Sequence, residues 1–236
     1  MSTTTTALLP APVSAASMWQ AVTGDPATGA LVTSLNGDIL FANSQLDWIF
    51  QNDRPAAQSA VGRNIVDFMP AAWVDARIRV HHRVLTTGRA VGLRSIWKGQ
   101  QVFSWIQLLP TEIARDQRRA PLPSEAIFLS LSRRMPGDLR AHLPLQDEDL
   151  DSVETDRLDL SPLAVLSPRE LEVLVLLGEG LSSKEIAARL FRSRRTVENH
   201  RLALGHKLRV KSRIELVQIA HRAGLTLRDI ARIRGR

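Results

Sequence analysis

The 236-residue chain contains no cysteine and no tyrosine, and only 5% of its residues are aromatic. The missing cysteine excludes disulfides, Cys-ligated zinc or iron–sulfur clusters and any thiol nucleophile, and it fits a reducing cytoplasm. Long apolar runs are missing too. No segment approaches the ~20 uncharged apolar residues that a spanning helix needs, so no membrane partner is expected. The uncharged run Ser2–Gly24 is rich in Thr, Ser, Ala and Pro and lacks the positive start of a signal peptide. Residues 1–24 are therefore expected to be a disordered leader. P-loop, G-x-S-x-G, H-E-x-x-H and kinase signatures do not occur, nor does the repeated strand–helix pattern of a phosphorylated receiver domain. An enzyme is not expected.

The apolar share, 44%, is ordinary for a globular chain. The net charge of +7 is informative only once divided. Residues 163–236 hold 16 Lys+Arg against 7 Asp+Glu, and residues 1–162 hold 15 against 17. All of the positive excess sits in the last third. That asymmetry points to a module that binds a polyanion, attached to something near neutral.

Residues 25–132 read as alternating strand and helix. Strand-like runs at Ala30–Ser34 and Ile39–Ala42 flank Asn36-Gly37, a strong hairpin signal. Ser44–Phe50 and Ala71–Leu85 look helical. Val91–Trp97, Val102–Leu109 and Ala126–Leu131 then look like three strands, the first two joined by a turn at Lys98-Gly99-Gln100. Along the middle one Val102, Ser104 and Ile106 alternate with Phe103, Trp105 and Gln107, so neither face is wholly polar. All five Trp and five of the six Phe lie between Trp19 and Phe128, which puts the aromatic core in this region.

The order of hairpin, short helices, one longer helix and strand meander resembles a PAS domain. The matching pieces are GALVTSLNGDILFAN with Gly37 and Asn43, VGRNIVDFMP, and the Thr86-Thr87-Gly88 that closes the long helix. The resemblance implies an α+β sensing or pairing domain; fold alone does not say which. Relatives whose photochemistry needs a cysteinyl adduct are excluded. No cofactor is evident. Haem held by His81 or His82 is one reading, a solvated His pair the other. An apolar ligand pocket lined by Trp97, Phe103 and Trp105 stands likewise beside ordinary core packing.

Residues 133–162 lack periodicity. Within them Asp147–Asp159 carries seven acidic residues against one Arg. This is expected to be an acidic linker kept extended by self-repulsion; the sharper alternative is that it folds back on the basic module.

Residues 163–236 contain three S-x-x-E capping boxes, at Ser167–Glu170, Ser182–Glu185 and Ser212–Glu215. A further cap residue stands at Ser193. Apolar stripes agree: Leu171, Leu174 and Val175; Ile186, Ala187 and Leu190; Val197, Leu204 and Leu208; Leu216, Val217 and Ala220. The second and third helices are separated only by Phe191-Arg192-Ser193, a helix-turn-helix spacing.

The run LSPRELEVLVLLGEGLSSKEIAARLFRSRRTVENHRLALGHKL resembles the LuxR-type (FixJ/NarL) DNA-binding domain. It matches at Glu170, Gly180, Lys184, Glu185, Ile186, Ala187, Thr196, Val197, His200, Lys207 and Leu208. The resemblance implies an all-α four-helix domain of a bacterial regulator that reads the major groove with its third helix. Two positions depart from the pattern. Arg209 stands where a left-handed residue, usually Gly, is wanted, and Gly205 lies inside the third helix, where it costs ~1 kcal/mol. The end of that helix is therefore expected to fray.

With Val197, Leu204 and Leu208 facing inward, helical geometry presents Arg195, Glu198, Asn199 and Leu202 to the groove. Arg suits guanine, Asn adenine, Glu the cytosine amino group and Leu a thymine methyl. Lys184, Arg194, Thr196, Arg201 and Lys207 are expected on phosphates, which position without specifying. Arg192, Arg194 and Arg195 could instead form only a solvated basic face. His200 packs or touches DNA, and Glu170 reads as a cap and ion-pair partner. By the resemblance, pairing falls to Leu216, Val217 and Ala220.

The expectation is a cytoplasmic, homodimeric, sequence-specific transcriptional regulator acting on double-stranded DNA, with RNA polymerase a further partner. The competing class is a protein-interaction module whose basic tail binds a partner or anionic lipid without DNA specificity.

Overall fold

Asn36-Gly37 does what its residue types demand. In a computed structural model of the chain, which describes residues 14–50, 60–109, 125–137, 151–154 and 158–234, Gly37 takes φ +91° and turns β1 (Gly29–Ser34) into β2 (Ile39–Ala42). Strands β3 (Val91–Trp97), β4 (Gln100–Leu109) and β5 (Ile127–Arg134) follow. The β3–β4 hairpin turns on Lys98 and Gly99, both at positive φ. These five strands are ordered β2-β1-β5-β4-β3 and pair antiparallel, within a sheet of six. Helices α2 (Gln45–Ile49) and α3 (Ala71–Thr87) and a 3-10 turn at Ile65–Asp67 accompany the strands. Gly88, left-handed at φ 66°, ends α3. The expected α+β PAS-like domain is present.

Buried Asn43 staples this domain at its start. Its Oδ1 accepts the Ala30 N–H at 2.8 Å, and its Nδ2 donates to the carbonyls of Thr28 and Thr23 at 2.9 and 3.1 Å.

Two of the expected irregular segments contain regular structure. Residues Ala15–Gly24 form helix α1, capped by Ser14, whose hydroxyl accepts the Ser17 N–H at 3.0 Å. Trp19 of this helix packs edge-on against Phe41 at 5.1 Å. The leader expectation fails there because an aromatic anchor outweighs an uncharged composition; residues 1–13 lie outside the described residues. The linker expectation fails at both ends. Arg133 and Arg134 extend β5, and Asp151–Glu154 forms β6, which pairs in parallel with β3 from Val91↔Asp151 to Arg94↔Glu154. Residues 138–150 and 155–157, with most of the acidic tract, lie outside the described residues.

The C-terminal domain consists of α4 (Pro168–Gly178), α5 (Ser183–Arg189), α6 (Arg194–Leu208), α7 (Arg213–Ala223) and α8 (Leu227–Arg234). All three capping boxes are formed. Helix α4 is buried from Glu170 to Leu177, as a helix apolar on every side must be. The expected four helices are joined by a fifth, α8, which begins at a Thr226-x-x-Asp229 box: Asp229 accepts the Thr226 N–H at 2.8 Å.

The two domains meet on the outer face of β3 and β4. The helical domain covers this face, so its apolar and polar side chains alike are buried. Ile96 of β3 belongs to the same buried cluster as Leu171, Leu204 and Leu216. Beside it, Arg94 donates to both oxygens of Asp229 at 3.2 and 2.9 Å, to the Gly224 carbonyl at 2.7 Å and to Gln101 Oε1 at 2.6 Å. Gln101 donates in turn to the carbonyls of Met135 and Gly137. Gly224 stands at φ +54°, and a Cβ there would lie 2.7 Å from the Gln101 side chain.

Burial alone would raise the Asp229 carboxyl. The hydrogen bonds and charge of Arg94, with the Thr226 bonds, outweigh it and hold the group below its usual value. Its contribution to stability is thus present above the unfolded value of ~3.9 and is lost as pH falls through the lower folded one. Asp229→Ala strands Arg94 in the interior and should cost about 3–5 kcal/mol. Replacing both partners, Arg94→Met with Asp229→Leu, should recover most of that loss in a thermal melt.

Candidate nucleic-acid interface

The helix-turn-helix is set by caps at both ends of its turn. Helix α5 closes at Leu190, and Phe191 takes a left-handed φ of 53° so that the Arg192 N–H reaches the Ala187 carbonyl at 2.9 Å. Ser193 then opens α6, its hydroxyl accepting the Thr196 N–H at 3.1 Å. Val197 and Leu204 turn inward and are buried. The residues about 180° round the helix, Arg195, Asn199 and Leu202, are exposed, Leu202 to 65%. These three, expected as base readers, form one outward stripe.

Glu198 differs from them. It is half-buried, and its carboxylate accepts the Ser183 hydroxyl and the Arg201 guanidinium, the latter at 2.8 Å. Those two hydrogen bonds hold its carboxyl below the usual range. Glu198 thus ties α6 to the start of α5 and fixes Arg201.

Among the expected phosphate contacts, Lys184 and Arg194 are exposed. Thr196 is half-buried and shares a 2.8 Å hydroxyl contact with Ser193. Lys207 points back into its own domain, donating to Glu170 at 2.7 Å. Burial would raise the Glu170 carboxyl, but the Lys207 bond and the Ser167 cap outweigh it and lower it. Glu170 is therefore the cap and ion-pair partner that its position suggested. His200 is half-buried.

The expected fraying of α6 does not occur. Arg209 adopts the left-handed conformation itself, at φ 55° and ψ 40°. The Val210 N–H then reaches the Gly205 carbonyl at 2.9 Å. A Cβ at Gly205 would lie 3.0 Å from the Val210 carbonyl, so the glycine accommodates the chain reversal. With the helix intact, exposed His206 joins the stripe of Arg195, Asn199 and Leu202. An expectation that the helix end frays gives His206 no role; its i, i+4, i+7, i+11 spacing from Arg195 is the sequence signal that includes it.

The pairing residues are placed differently from expectation. Leu216 and Ala220 are buried in their own domain's core, Ala220 directly over Gly178 of α4. Side chains consumed in that way offer no surface. Val217 is half-buried, and Ile214, 70% exposed, lies one turn before it.

In the PAS-like domain, a cavity of about 50 Å³ is lined by Leu31, Ile39, Leu46, Phe50, Ile65 and Trp97, among others. Phe103 and Trp105 take no part in it. His81 is fully buried, its ring stacked on Phe128 at 4.3 Å, and His82 is exposed. Haem does not fit here: neither histidine lines the cavity, which is far smaller than even a drug-sized ligand requires. Among the described residues no cluster of three or more His, Cys, Asp or Glu could hold a metal, and no helix is long and apolar enough to cross a membrane.

Residues 164–220 match the family of bacterial regulatory proteins, luxR family. The oxygen regulatory protein NreC of Staphylococcus epidermidis (strain ATCC 35984) is 36% identical over 104 residues, 42% of this chain and 48% of NreC. NreC of Staphylococcus aureus (strain bovine RF122) is 37% identical over 103 residues, with the same shares. The chain thus spans about half the length of the curated relatives it matches. A crystal structure of a VqmA–ligand–DNA complex from Vibrio cholera shares 17% identity over 91% of this chain and 92% of that one, at a TM-score of 0.47. The C-terminal domain is a LuxR-family helix-turn-helix.

Arg209 is the one strained residue at the end of α6 that glycine would relieve. Arg209→Gly should raise the melting temperature, with a gain of ~1 kcal/mol.

Proposed function

We propose that this chain is a sequence-specific DNA-binding transcriptional regulator whose PAS-like domain senses a signal or pairs subunits. The observation that carries the reading is the exposed stripe Arg195, Asn199, Leu202 and His206 along a capped, unfrayed α6, in a domain of the luxR family. Arg195 and Asn199 have the donor and acceptor forks that suit guanine and adenine, and Leu202 suits a thymine methyl. Lys184 and Arg194 flank the stripe as phosphate contacts. Arg201 acts there as well, held in place by Glu198. Lys207 stabilises the helix end through Glu170 rather than meeting DNA.

One recognition helix supplies few contacts, so the working form is a homodimer on paired half-sites roughly one helical turn apart. Exposed Ile214 of α7, with half-buried Val217 one turn on, is the pairing surface, in place of Leu216 and Ala220. RNA polymerase is the further partner that regulation at a promoter requires, and the cytoplasm is the compartment.

The test uses a duplex selected from a random pool by the full chain, alongside random duplex. Asn199→Ala should lose ~1–3 kcal/mol of discrimination with little change on random DNA. Lys184→Ala should weaken binding to both and reduce the salt slope by about one. Equal losses on both duplexes for both variants would refute the assignment of roles.

A further inference from the structure

The inner face of the PAS-like sheet is not uniformly apolar. Between two apolar clusters runs a layer of buried hydroxyls: Thr33 on β1, Ser130 and Ser132 on β5, Ser104 on β4 and Ser95 on β3. Above it, α3 places Arg77 and His81, exposed to 4% and 0%. Arg77 donates to Ser130 Oγ at 2.8 Å, and among the described residues no carboxylate pairs with it. Burial lowers its guanidinium to about 10, which still leaves it protonated at neutral pH. A buried cation without a counter-charge is costly.

Two further polar atoms in the same place have no partner, Thr33 Oγ1 and His81 Nε2. Both residues border Phe128. Thr33 lies opposite Phe128 in the β1–β5 register, His81 stacks on Phe128, and Ser130 follows two residues on, on the same face. The His81 ring is neutral, burial and the nearby Arg77 charge depressing it to about 3. Its Nδ1 lies 3.4 Å from the Leu35 carbonyl, which can only accept, so the ring hydrogen sits on Nδ1 and Nε2 keeps a lone pair.

The layer adjoins the apolar cavity. Leu31 and Trp97 line the cavity, and on the same face, two residues along each strand, stand Thr33 and Ser95. Two residues of strand span roughly 7 Å, the distance from the carboxylate of a small organic acid to the body of its apolar tail.

We propose that Arg77, Thr33 and Ser130 bind the carboxylate of a small organic acid whose apolar tail occupies the cavity lined by Leu31 and Trp97. This deepens, and rests on, the reading of the PAS-like domain as a sensor. Arg77 supplies the charge, Thr33 the unused hydroxyl, and Ser130 orients the guanidinium.

The experiment is a thermal-shift and calorimetric titration of the full chain with straight-chain monocarboxylates of two to eight carbons, benzoate and phenylacetate, each beside its neutral amide. At least one acid should raise the melting temperature by several degrees, in a concentration-dependent way, and its amide should bind at least tenfold more weakly. Arg77→Met removes the unpaired cation; it should leave the ligand-free melting temperature equal or higher and abolish the acid's shift. Ser130→Ala, which keeps the charge, should weaken the acid severalfold. Acid and amide binding alike, no shift with any acid, or a full shift retained in Arg77→Met would each overturn the proposal. Affinity for the selected duplex is read with and without the acid. Acid binding that leaves this affinity unchanged would refute sensing while upholding the site, and DNA binding without acid binding would refute the site while upholding the DNA-binding reading.

Discussion

Two domains become one structure through the guanidinium of Arg94. It lies on the outer face of the PAS-like sheet and reaches an aspartate 135 residues further on, Asp229 of the last helix, together with the carbonyl that ends α7. A buried ion pair is poor value as glue, since desolvation consumes most of the attraction. What it supplies is direction. A bidentate fork, a carbonyl and an amide side chain are all satisfied only in one arrangement. Gly224 belongs to the same constraint, because any Cβ there would strike Gln101. In this docked arrangement Arg195, Asn199 and Leu202 remain exposed, so the contact holds the helix-turn-helix domain without covering the face proposed to read DNA.

The helical domain lay close to the surface of its sequence, for a local reason. Each helix start is a side chain bonding a backbone three residues away, so Ser167, Ser182, Ser193 and Ser212 announce their helices within one turn of chain. The hairpin at Asn36-Gly37 and the alternation through Val102–Ile106 are equally local. What escaped is what depends on distant partners. The burial of Leu216 and Ala220 follows from the close approach of α4 at Gly178. The fate of Lys207 depends on Glu170, 37 residues earlier. Strand β6 exists because β3 offers a free edge, and a composition rich in Asp and Glu says nothing of that. Nothing local in the sequence marks Arg94 or Arg77 as interior; only the fold shows both to be buried.

Arg77 and Arg94 illustrate two ways of accommodating a buried cation. Arg94 has a carboxylate, a carbonyl and an amide oxygen from its own chain. Arg77 has one hydroxyl. The sheet between them explains why both are tolerated: its inner face carries a layer of small hydroxyls, and its outer face meets a domain with its own polar groups to offer. Ser104 and Ser132, bonded to each other at 2.8 Å, cost little volume and leave the middle of the sheet polar while Val91, Ile106 and Phe128 on one side and Ile39, Ile49 and Val102 on the other close the core.

Strand β3 joins these themes. Its inward residues include Trp97, which lines the cavity and donates to the Phe50 carbonyl at 2.5 Å. Its outward residues, Arg94 and Ile96, hold the helical domain. Side chains of adjacent residues project to opposite faces of a strand, so Ile96 and Trp97 share a peptide bond while belonging to different cores. A close-packed interior accommodates a displaced side chain by moving its neighbours rather than by compressing. A shift of Trp97 therefore has to be absorbed by β3, and the partners on the other side of β3 are the core of the DNA-binding domain and Asp229. The route from the PAS-like interior to the helix-turn-helix is one strand thick.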